Sequence, residues 1–496
     1  MLQSKLSQRL YAIAILSAVV GYFLYIMVPW LNNNLWSDEF YTLKWFSLVP
    51  FKTVVTDYHS TNHILYDLFN YSYLKMLGIN SLAYILEHPW IVRLPLLLLA
   101  LVSISLIYQT AKLINGRLAG IAAVALLATD IPFQNYCMQI RGYGFTAFFD
   151  LLLVYSCLLY IKKGRMSALI LMGLSGFAAM YSVLSNLYCL VGILTFWGAE
   201  YLFRFIKGKS VVINYWKPTT AVLVGLGIAL LCYSPVFKDA FCNHYVSRKS
   251  PAFHISNVND ATFVYAEIIH GREPLYVLFL LSVLIYFTPI VAGSKRLSET
   301  WRIVFWQFIA PIVIVAGMGQ HPPARIFIHL CVFLDLLIAV NMVYVAKMLL
   351  PKRATEISVV LLSVYLICAC QKEKDDIAIM MSPDVIHPVI HQDLRADYYL
   401  YYYYPLNISH YLAKQDTKSC PVILYKAAYM HCYLETLKVP FYPADSLDRF
   451  LDSKGKVFLS TVYPVEIDSG FMAQHHCSAK EILPRTFDHL FELQRR

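Results

Sequence analysis

Residues 91–113, with the sequence IVRLPLLLLALVSISLIYQTAKL, decide the fold class of this chain. Within this stretch, Arg93 is the first charged residue, and the next one is Lys112 near its end. A helix needs roughly 20 mostly apolar residues to cross a hydrocarbon core about 30 Å thick. The segment is therefore predicted to span a membrane.

The composition of the whole chain agrees with a membrane protein. Hydrophobic residues make up 58% of the 496 residues and charged residues 15%, whereas a soluble domain carries about 45–50% apolar and about 25% charged residues. This excludes a cytosolic enzyme, a disordered tail protein and a fibrous repeat. The net charge of +10 arises from short basic clusters between apolar runs, which is the positive-inside pattern. No nucleic-acid partner is expected.

Apolar runs of spanning length recur over the first three-quarters of the chain. They predict about eleven transmembrane helices, at residues 10–29, 91–113, 118–135, 143–161, 167–183, 185–205, 218–236, 275–293, 302–318, 326–347 and 355–371. Between them, the basic clusters all fall on one side, which the positive-inside rule assigns to the cytoplasm. The N-terminus is then cytoplasmic, and the external segments are residues 31–89, 136–142, 237–273 and 319–325.

The composition changes to polar and tyrosine-rich after residue 371. Apolar stretches at 421–425 and 457–462 predict buried strands, and residues 446–451 predict a helix between them. The predicted architecture is a polytopic α-helical membrane domain, residues 1–371, followed by a small extracytoplasmic α/β domain, residues 372–496. Cys420, Cys432 and Cys477 lie in this second part, where an oxidising compartment would allow a disulfide.

The first candidate site is Trp36-Ser37-Asp38-Glu39-Phe40-Tyr41, just beyond the first predicted helix. Two adjacent carboxylates at a membrane surface could act as an acid or base on a lipid-linked substrate. The alternative is an ordinary helix start, because Ser37 followed by acidic residues also suits an N-cap and the helix dipole.

Two histidines follow in the same external segment. His59 and His63 are four residues apart, a spacing that places both rings on one face of a helix. Imidazole can donate to a phosphate or move a proton near neutral pH. The alternative is a polar face of an interfacial helix.

Arginines mark the external ends of two later spans. Arg141 lies in Gln139-Ile140-Arg141-Gly142-Tyr143, and Arg325 closes His321-Pro322-Pro323-Ala324-Arg325. A guanidinium donates two parallel hydrogen bonds to a phosphate. Arg93 is a third cation near this edge and is predicted to face lipid. For Arg141, snorkelling to the lipid headgroups is the alternative.

Several other polar residues receive a structural interpretation. Asp150, Glu200 and Asp335 lie inside apolar spans and need partners; they are predicted to pair structurally, although a transporter would use such acids as proton relays. His387 with His391, and His475-His476-Cys477, are not predicted to bind metal because no third ligand is near them in sequence.

These motifs, over roughly residues 10–350, resemble the GT-C type membrane glycosyltransferases, specifically the family of protein mannosyltransferases and aminoarabinose lipid A transferases (glycosyltransferase family 39). Asp38-Glu39 resembles the family's first-loop Asp-Glu pair. Residues 62–66, Asn-His-Ile-Leu-Tyr, are similar to Asn-His-Pro-Pro-Leu-Tyr without its prolines, and residues 135–143 resemble Tyr-Tyr-Ser-x-Glu-Ala-Arg-x-Tyr. Ala324-Arg325 resembles the family's Pro-Arg-Tyr opening of a late helix.

The resemblance implies transfer of a sugar from a polyprenyl-phosphate carrier to a lipid, glycan or protein hydroxyl at the outer membrane face, with inversion at the anomeric carbon. It implies that Asp38 and Glu39 are catalytic, with Asp38 as the base. Donor phosphate and substrate would be bound by His59, His63, Tyr66, Arg141, Tyr143, His321 and Arg325. Gln139 stands where the family has an acid, so neither a metal nor another cofactor is expected.

Two other functions remain open from the sequence. A transporter or flippase of a lipid-linked or anionic solute would use Asp150 and Asp335, but it predicts a hydropathy repeat that is not evident. A non-catalytic subunit of polysaccharide assembly would tolerate Gln139 and the missing prolines. The motifs favour a bacterial inner membrane, with hexosyl or pentosyl transfer as the activity.

Overall fold

Long apolar helices dominate the computed structural model, which describes residues 2–59, 62–206, 215–241, 277, 280, 299–318, 324–349, 351–380, 405–425, 430–461, 467–483 and 489–496. The helices up to residue 380, in chain order, are α1 (Leu2–Trp30), α2 (Ser37–Thr42), α3 (Phe51–Thr56), α4 (Ile64–Met76), α5 (Leu82–Glu87), α6 (Trp90–Asn115), α7 (Arg117–Ala128), α8 (Ile131–Met138), α9 (Tyr143–Lys163), α10 (Met166–Ser182), α11 (Leu187–Ile206), α12 (Trp216–Cys232), α13 (Phe237–Phe241), α14 (Glu299–Met318), α15 (Ile328–Leu349) and α16 (Ala354–Met380).

The described residues contain 7 helices that are long and apolar enough to cross a membrane, or up to 9 if each of two bent pairs is one span. The straight ones are α1, α6, α9, α11, α14, α15 and α16. Helix α10 is apolar but has 17 residues. Ten of the predicted spans thus have a helical counterpart, and the span predicted at 275–293 lies outside the described residues except for Val277 and Leu280. The chain is a multi-pass membrane protein, as predicted.

Two of the predicted spans are wrong as single helices. The span predicted at 118–135 is the pair α7 and α8, bent by 67°. Pro132 has no N–H to donate to the Ala128 carbonyl four residues earlier, which ends α7; the side-chain amide of Gln134 donates to that carbonyl instead, at 2.8 Å. The span predicted at 218–236 bends by 53° beside Pro235.

Helix α15 is the centre of the bundle. In its most apolar window 89% of residues are buried, against 17% for α1 and for α16. It packs against α6, α7, α9, α14 and α16. Because α15 is central, its first residue lies in the middle of one end of the bundle. Arg325 lies at the same end, in the turn that precedes α15, Ala324–Phe327.

An ion pair and a hydrogen bond join helices at the opposite end of the bundle. Arg302 at the start of α14 donates to Glu200 in α11 at 2.7 Å, and Lys347 near the end of α15 donates to Asn115 at the end of α6 at 2.9 Å. Glu200 thus has the structural partner that the sequence predicted. Asp150 in α9 also has one, His329 in α15, at 3.3 Å between Oδ2 and Nδ1.

Short helices α2 to α5 form a cap between α1 and α6. Helix α2 continues into one π-helical turn, Leu43–Ser47. The cap has its own apolar cluster, in which Leu35, Phe40 and Leu43 pack with residues of α4, α5 and the start of α6. This cluster fixes α2, and with it the Asp38-Glu39 pair, against the bundle.

The C-terminal residues form a small α/β unit, as predicted. Its elements are α17 (Pro405–Ala413), β1 (Val422–Tyr425), α18 (Met430–Thr436), β2 (Phe441–Pro443), α19 (Leu447–Lys454), β3 (Lys456–Thr461), α20 (Ser469–Gln474), β4 (Cys477–Glu481) and β5 (His489–Arg495). The sheet order is β2-β1-β3-β5-β4. Strands β1, β2 and β3 are parallel, whereas β5 is antiparallel to both β3 and β4. The tyrosine run at 398–404 lies outside the described residues.

The three cysteines of this unit are free thiols. Cys420 packs in the apolar cluster on one side of the sheet, Cys477 in the cluster on the other side, and Cys432 in the cap of the membrane domain. Because each thiol lies in a different cluster, the structure contains no disulfide among them.

Candidate active site

The chain between α1 and α2 is held by a buried arginine of α6. The guanidinium of Arg93 donates to the backbone carbonyls of Asn33 and Asn34, the latter at 3.0 Å. It also forms an ion pair with Glu39 at 2.8 Å, in which both side chains have 0% exposure. The prediction that Arg93 faces lipid is therefore wrong, because its charge is neutralised inside the protein.

Glu39 connects α2 to α6 and to the segment between α8 and α9. Its second carboxylate oxygen accepts a hydrogen bond from the backbone N–H of Ile140 at 2.9 Å, and Oε2 accepts one from the N–H of Trp36 at 3.2 Å. Burial raises the pKa of Glu39 and the positive charge of Arg93 opposes that rise. Glu39 thus fastens α2 to the corner between α8 and α9.

Asp38 contacts Arg141, the second arginine at this end of the bundle. Arg141 Nη1 donates to Asp38 Oδ2 at 2.5 Å, and the side chains are 3% and 24% exposed. The buried Nε of Arg141 has no hydrogen-bond partner among the described residues. The pair therefore combines a partly accessible carboxylate with a guanidinium that retains donor capacity.

His63 supports the backbone next to Arg141. The N–H of Gly142 donates to His63 Nδ1 at 2.6 Å, which requires the lone pair of that nitrogen and hence a neutral ring. Burial lowers the pKa of His63 well below 6.5, and the charges of Arg141 and Arg325 lower it further. Arg325 therefore acts electrostatically on His63, as Arg141 does.

Tyr143 joins this group through its ring. It packs edge-on against His63 with 5.0 Å between ring centroids, and the Arg141 guanidinium carbon lies 5.0 Å from the centroid of the same ring. Cation–π contacts of this kind orient a guanidinium while leaving its N–H groups available. Tyr143 thus contacts two of the other predicted site residues.

Tyr66 and Asp67 are buried at the start of α4. Tyr66 is 1% exposed, and its hydroxyl has no partner among the described residues. Asp67 Oδ2 accepts a hydrogen bond from the backbone N–H of His63 at 2.9 Å, so it caps α4. Burial raises the pKa of Asp67 well above its ordinary value.

One histidine of the predicted site, His59, is not part of this arrangement. Helix α3 ends at Thr56 and α4 begins at Ile64, so His59 and His63 do not share a helical face, and that expectation is wrong. His59 is exposed, whereas His63 is 4% exposed. His321 lies outside the described residues, as do His387 and His391.

Asp67 and Gly142 were not predicted from the sequence to contribute to this site, and Arg93 was predicted to face lipid. An ideal Cβ at Gly142 would lie 2.8 Å from His63 Nδ1, so only glycine allows this close approach. The Asn-His opening of α4 and the glycine after Arg141 were the available signals, but their contact joins residues 79 positions apart.

The donor set for a metal ion is weak at this site. Gln139 is buried with its amide 3.4 Å from Asn135 Oδ1, so position 139 supplies an amide and not a carboxylate. In the part of the chain that the structure covers, no three His, Cys, Asp or Glu side chains converge as metal ligands. His475 instead pairs with Asp448 at 2.7 Å. The absence of a cofactor remains a prediction.

Comparisons with known proteins were made for the sequence and the fold. Residues 79–237 match the family described as dolichyl-phosphate-mannose-protein mannosyltransferase. The crystal structure of ArnT from Cupriavidus metallidurans in the apo state aligns over 96% of this chain and 98% of that chain, with a TM-score of 0.51 and 12% identity.

A second solved structure has the same fold. It is the archaeal oligosaccharyltransferase AglB from Archaeoglobus fulgidus, in complex with an inhibitory peptide and a dolichol-phosphate. It aligns over 95% of this chain and 71% of that chain, with a TM-score of 0.53 and 10% identity. The fold is that of the GT-C membrane glycosyltransferases. No curated protein sequence is significantly similar to the chain.

The GT-C fold confirms the resemblance that the sequence motifs predicted. The family match begins at residue 79, so it includes Arg93, Arg141 and Tyr143 but not the turn that carries Asp38. The roles of the individual side chains therefore depend on the geometry described above.

Proposed function

We propose that this chain is a glycosyltransferase that moves a sugar from a polyprenyl-phosphate carrier to an acceptor hydroxyl, with inversion at the anomeric carbon. The observation that carries the proposal is the contact of Asp38 with Arg141, which joins a carboxylate and a guanidinium at one end of an apolar bundle. A solved protein of the same fold holds a dolichol-phosphate, which supports a polyprenyl phosphate as the carrier.

Asp38 is the proposed general base. It is the more exposed of the two adjacent carboxylates, since Glu39 is fully buried and held by Arg93. When the donor binds, its phosphate competes for Arg141 and releases the Asp38 carboxylate toward the acceptor. A base within about 2.6–3.2 Å of the hydroxyl can then accept its proton.

The chemical step is a single displacement. The acceptor oxygen attacks the anomeric carbon, its proton passes to Asp38, and the bond from that carbon to the phosphate oxygen breaks. Attack from the face opposite the phosphate inverts the configuration. The leaving group is polyprenyl phosphate, whose extra negative charge Arg141 and Arg325 stabilise.

The other site residues receive supporting roles. Glu39 and His63 hold α2 and the Gly142 backbone, and Tyr143 orients the Arg141 guanidinium. We propose that residues 1–371 contain the donor site and residues 372–496 cover it. We further propose that this end of the bundle faces outward from a bacterial inner membrane, with the N-terminus in the cytoplasm, because the basic segments lie at the other end.

A reconstituted assay tests the proposal. The full chain in lipid nanodiscs is supplied with polyprenyl-phosphate sugars and acceptor lipids or glycans extracted from bacterial membranes, and released polyprenyl phosphate is measured by mass spectrometry. We expect release that depends on acceptor, and a product of inverted configuration by NMR. Carrier and sugar that stay joined with every acceptor fraction would overturn the proposed function.

A further inference from the structure

A tyrosine of the C-terminal unit is hydrogen-bonded to the backbone beside the candidate base. The N–H of Leu35 donates to the hydroxyl oxygen of Tyr433 at 2.6 Å, and that hydroxyl donates to the carbonyl of Leu35 at 2.7 Å. Tyr433 is 1% exposed and packs with Cys432 in the cap cluster that also contains Leu35. The Tyr433 hydroxyl thus forms hydrogen bonds with both the backbone N–H and the backbone carbonyl of the buried Leu35.

Leu35 lies within a short stretch in which Asn33, Asn34, Trp36 and Asp38 also have hydrogen-bond partners. Arg93 holds the carbonyls of Asn33 and Asn34. The carboxylate of Glu39 accepts from the N–H of Trp36, and Arg141 pairs with Asp38. Those partners belong to the membrane domain. Tyr433, in the described part of the C-terminal unit, supplies the hydrogen bonds at Leu35.

Helix α18, which carries Tyr433, also reaches the far end of α2. Glu435 forms an ion pair with Lys44 at 2.9 Å, and His431 Nε2 lies 3.4 Å from the Tyr41 hydroxyl. Exposed pairs of this kind contribute little, about 0–1 kcal/mol. Among the contacts made by α18, the buried Tyr433 contact is therefore the one expected to contribute most to the position of α2.

Helix α2 needs such external support because of its length. It has 6 residues, far fewer than the roughly 12–15 that an isolated helix needs to be even marginally stable in water. Its position is set by tertiary contacts at both ends. Asp38 is its second residue, so movement of the Leu35 backbone is passed on to the carboxylate within three residues.

We propose that Tyr433 is a positioning residue for transfer: it fixes the turn before α2 so that the Asp38 carboxylate meets the acceptor hydroxyl. This inference rests on the proposed function, and it makes the C-terminal unit part of the catalytic assembly. A misplacement of about 1 Å can lower a rate by about 100-fold. Tyr433 acts through Asp38 and does not itself touch the reacting atoms.

The test is Tyr433→Phe in the full chain reconstituted in nanodiscs. This variant keeps the ring in its apolar cluster and removes only the hydroxyl. We expect kcat to fall by about 10- to 100-fold while KM for the polyprenyl-phosphate donor stays the same, because Arg141 and Arg325 are unchanged. Hydrogen exchange at the Leu35 amide should become faster, and exchange in β1 and β3 should stay as slow as in the wild type.

The matched control is Tyr442→Phe, since Tyr442 in β2 packs on Phe450 within the C-terminal unit. It should change neither kcat nor exchange at Leu35. Unchanged kcat in Tyr433→Phe, or unchanged exchange at Leu35, would overturn the inference and leave the proposed function intact. A wild-type chain that releases no polyprenyl phosphate would instead overturn the proposed function, while the exchange measurement would still decide whether Tyr433 holds Leu35.

Discussion

Arg141 and Asp38 are joined by a hydrogen bond of 2.5 Å between Nη1 and Oδ2, although 103 positions separate them in sequence. The contact neutralises both charges at the end of an apolar bundle. It also means that the candidate base is masked until another anion engages the arginine. Under the proposed function, binding of a phosphate-bearing donor is therefore coupled to release of the Asp38 carboxylate.

Asp38→Asn should reduce sugar transfer by at least about 100-fold, since a positioned general base contributes about 10²–10⁴ in rate. The amide keeps the size of the side chain, so the unfolding temperature should change little, and donor affinity should stay the same or increase because Arg141 loses its competitor. Turnover and donor binding are measured in nanodiscs. Asp445→Asn, at an exposed position in the C-terminal unit, is the control. Turnover near the wild-type rate in Asp38→Asn would exclude this residue as the base.

Arg141→Ala should weaken donor binding by about 10- to 100-fold, as expected for the loss of a hydrogen bond to a charged group worth about 1.5–3 kcal/mol. Arg141→Lys should recover part of the affinity, because it keeps the charge but not the planar fork. Isothermal titration with a polyprenyl phosphate measures both. Arg117→Ala, exposed at the opposite end of the bundle, should bind as the wild type does. Unchanged affinity in Arg141→Ala would assign Arg141 to headgroup contact.

Glu39→Ala should lower the free energy of unfolding by about 3–5 kcal/mol, because it leaves the buried Arg93 charge unpaired. The double variant Glu39→Ala/Arg93→Ala should cost less than the sum of the single variants. Chemical denaturation of the detergent-solubilised protein gives these values. Glu492→Ala removes the partly exposed partner of Lys456 and should cost about 0–1 kcal/mol. Additive losses would show that Glu39 and Arg93 act independently.

Gly142→Ala should cost about 1–3 kcal/mol in stability and weaken donor binding, because the new Cβ would lie 2.8 Å from His63 Nδ1. The φ angle of Gly142 is −72°, which alanine also adopts, so the effect is a steric one. Gly198→Ala, with nothing within 4 Å of the new Cβ, is the control. His63→Ala in the Gly142→Ala background should relieve the clash; a purely additive double variant would contradict this explanation.

The stabilising effect of His63 should depend on pH. Its pKa in the folded protein is well below the ordinary 6.5, so between these two values the unfolded chain binds a proton that the folded chain does not. The free energy of unfolding of the wild type relative to His63→Asn is therefore greatest above pH 6.5. This difference falls as the pH is lowered, by up to about 1.4 kcal/mol per pH unit. Unfolding free energies at pH 7.5 and pH 5.5 measure the difference. A constant difference would contradict the burial of a neutral ring.

The fold class could be predicted from the sequence because apolar runs of spanning length are a strong local signal. The breaks inside two spans could not, since they depend on whether neighbouring groups satisfy the carbonyls that Pro132 and Pro235 leave free. Strands β2, β4 and β5 were missed as well. They are short or alternate weakly, with only Cys477 and part of β5 buried deeply.

The candidate site was likewise predicted only in part from the sequence. Asp38 and Arg141 were predicted from residue type and from their common end of the bundle, and the structure brings them into contact. Glu39 and Arg93 could not be paired in advance, because a carboxylate and a guanidinium 54 positions apart give no local signal. The same holds for His63 with Gly142, where the decisive feature is the missing Cβ.

The contact of Leu35 with Tyr433 also sets an order of events during synthesis. The two residues are 398 positions apart, which a ribosome adding about 5–20 residues per second covers in about 20–80 s. Through that interval the N-terminal helices can enter the bilayer while the turn before α2 lacks its last tether. The candidate catalytic end of the protein is therefore completed only when the tail of the chain has emerged and folded, so we expect a chain truncated before Tyr433 to be inserted but inactive.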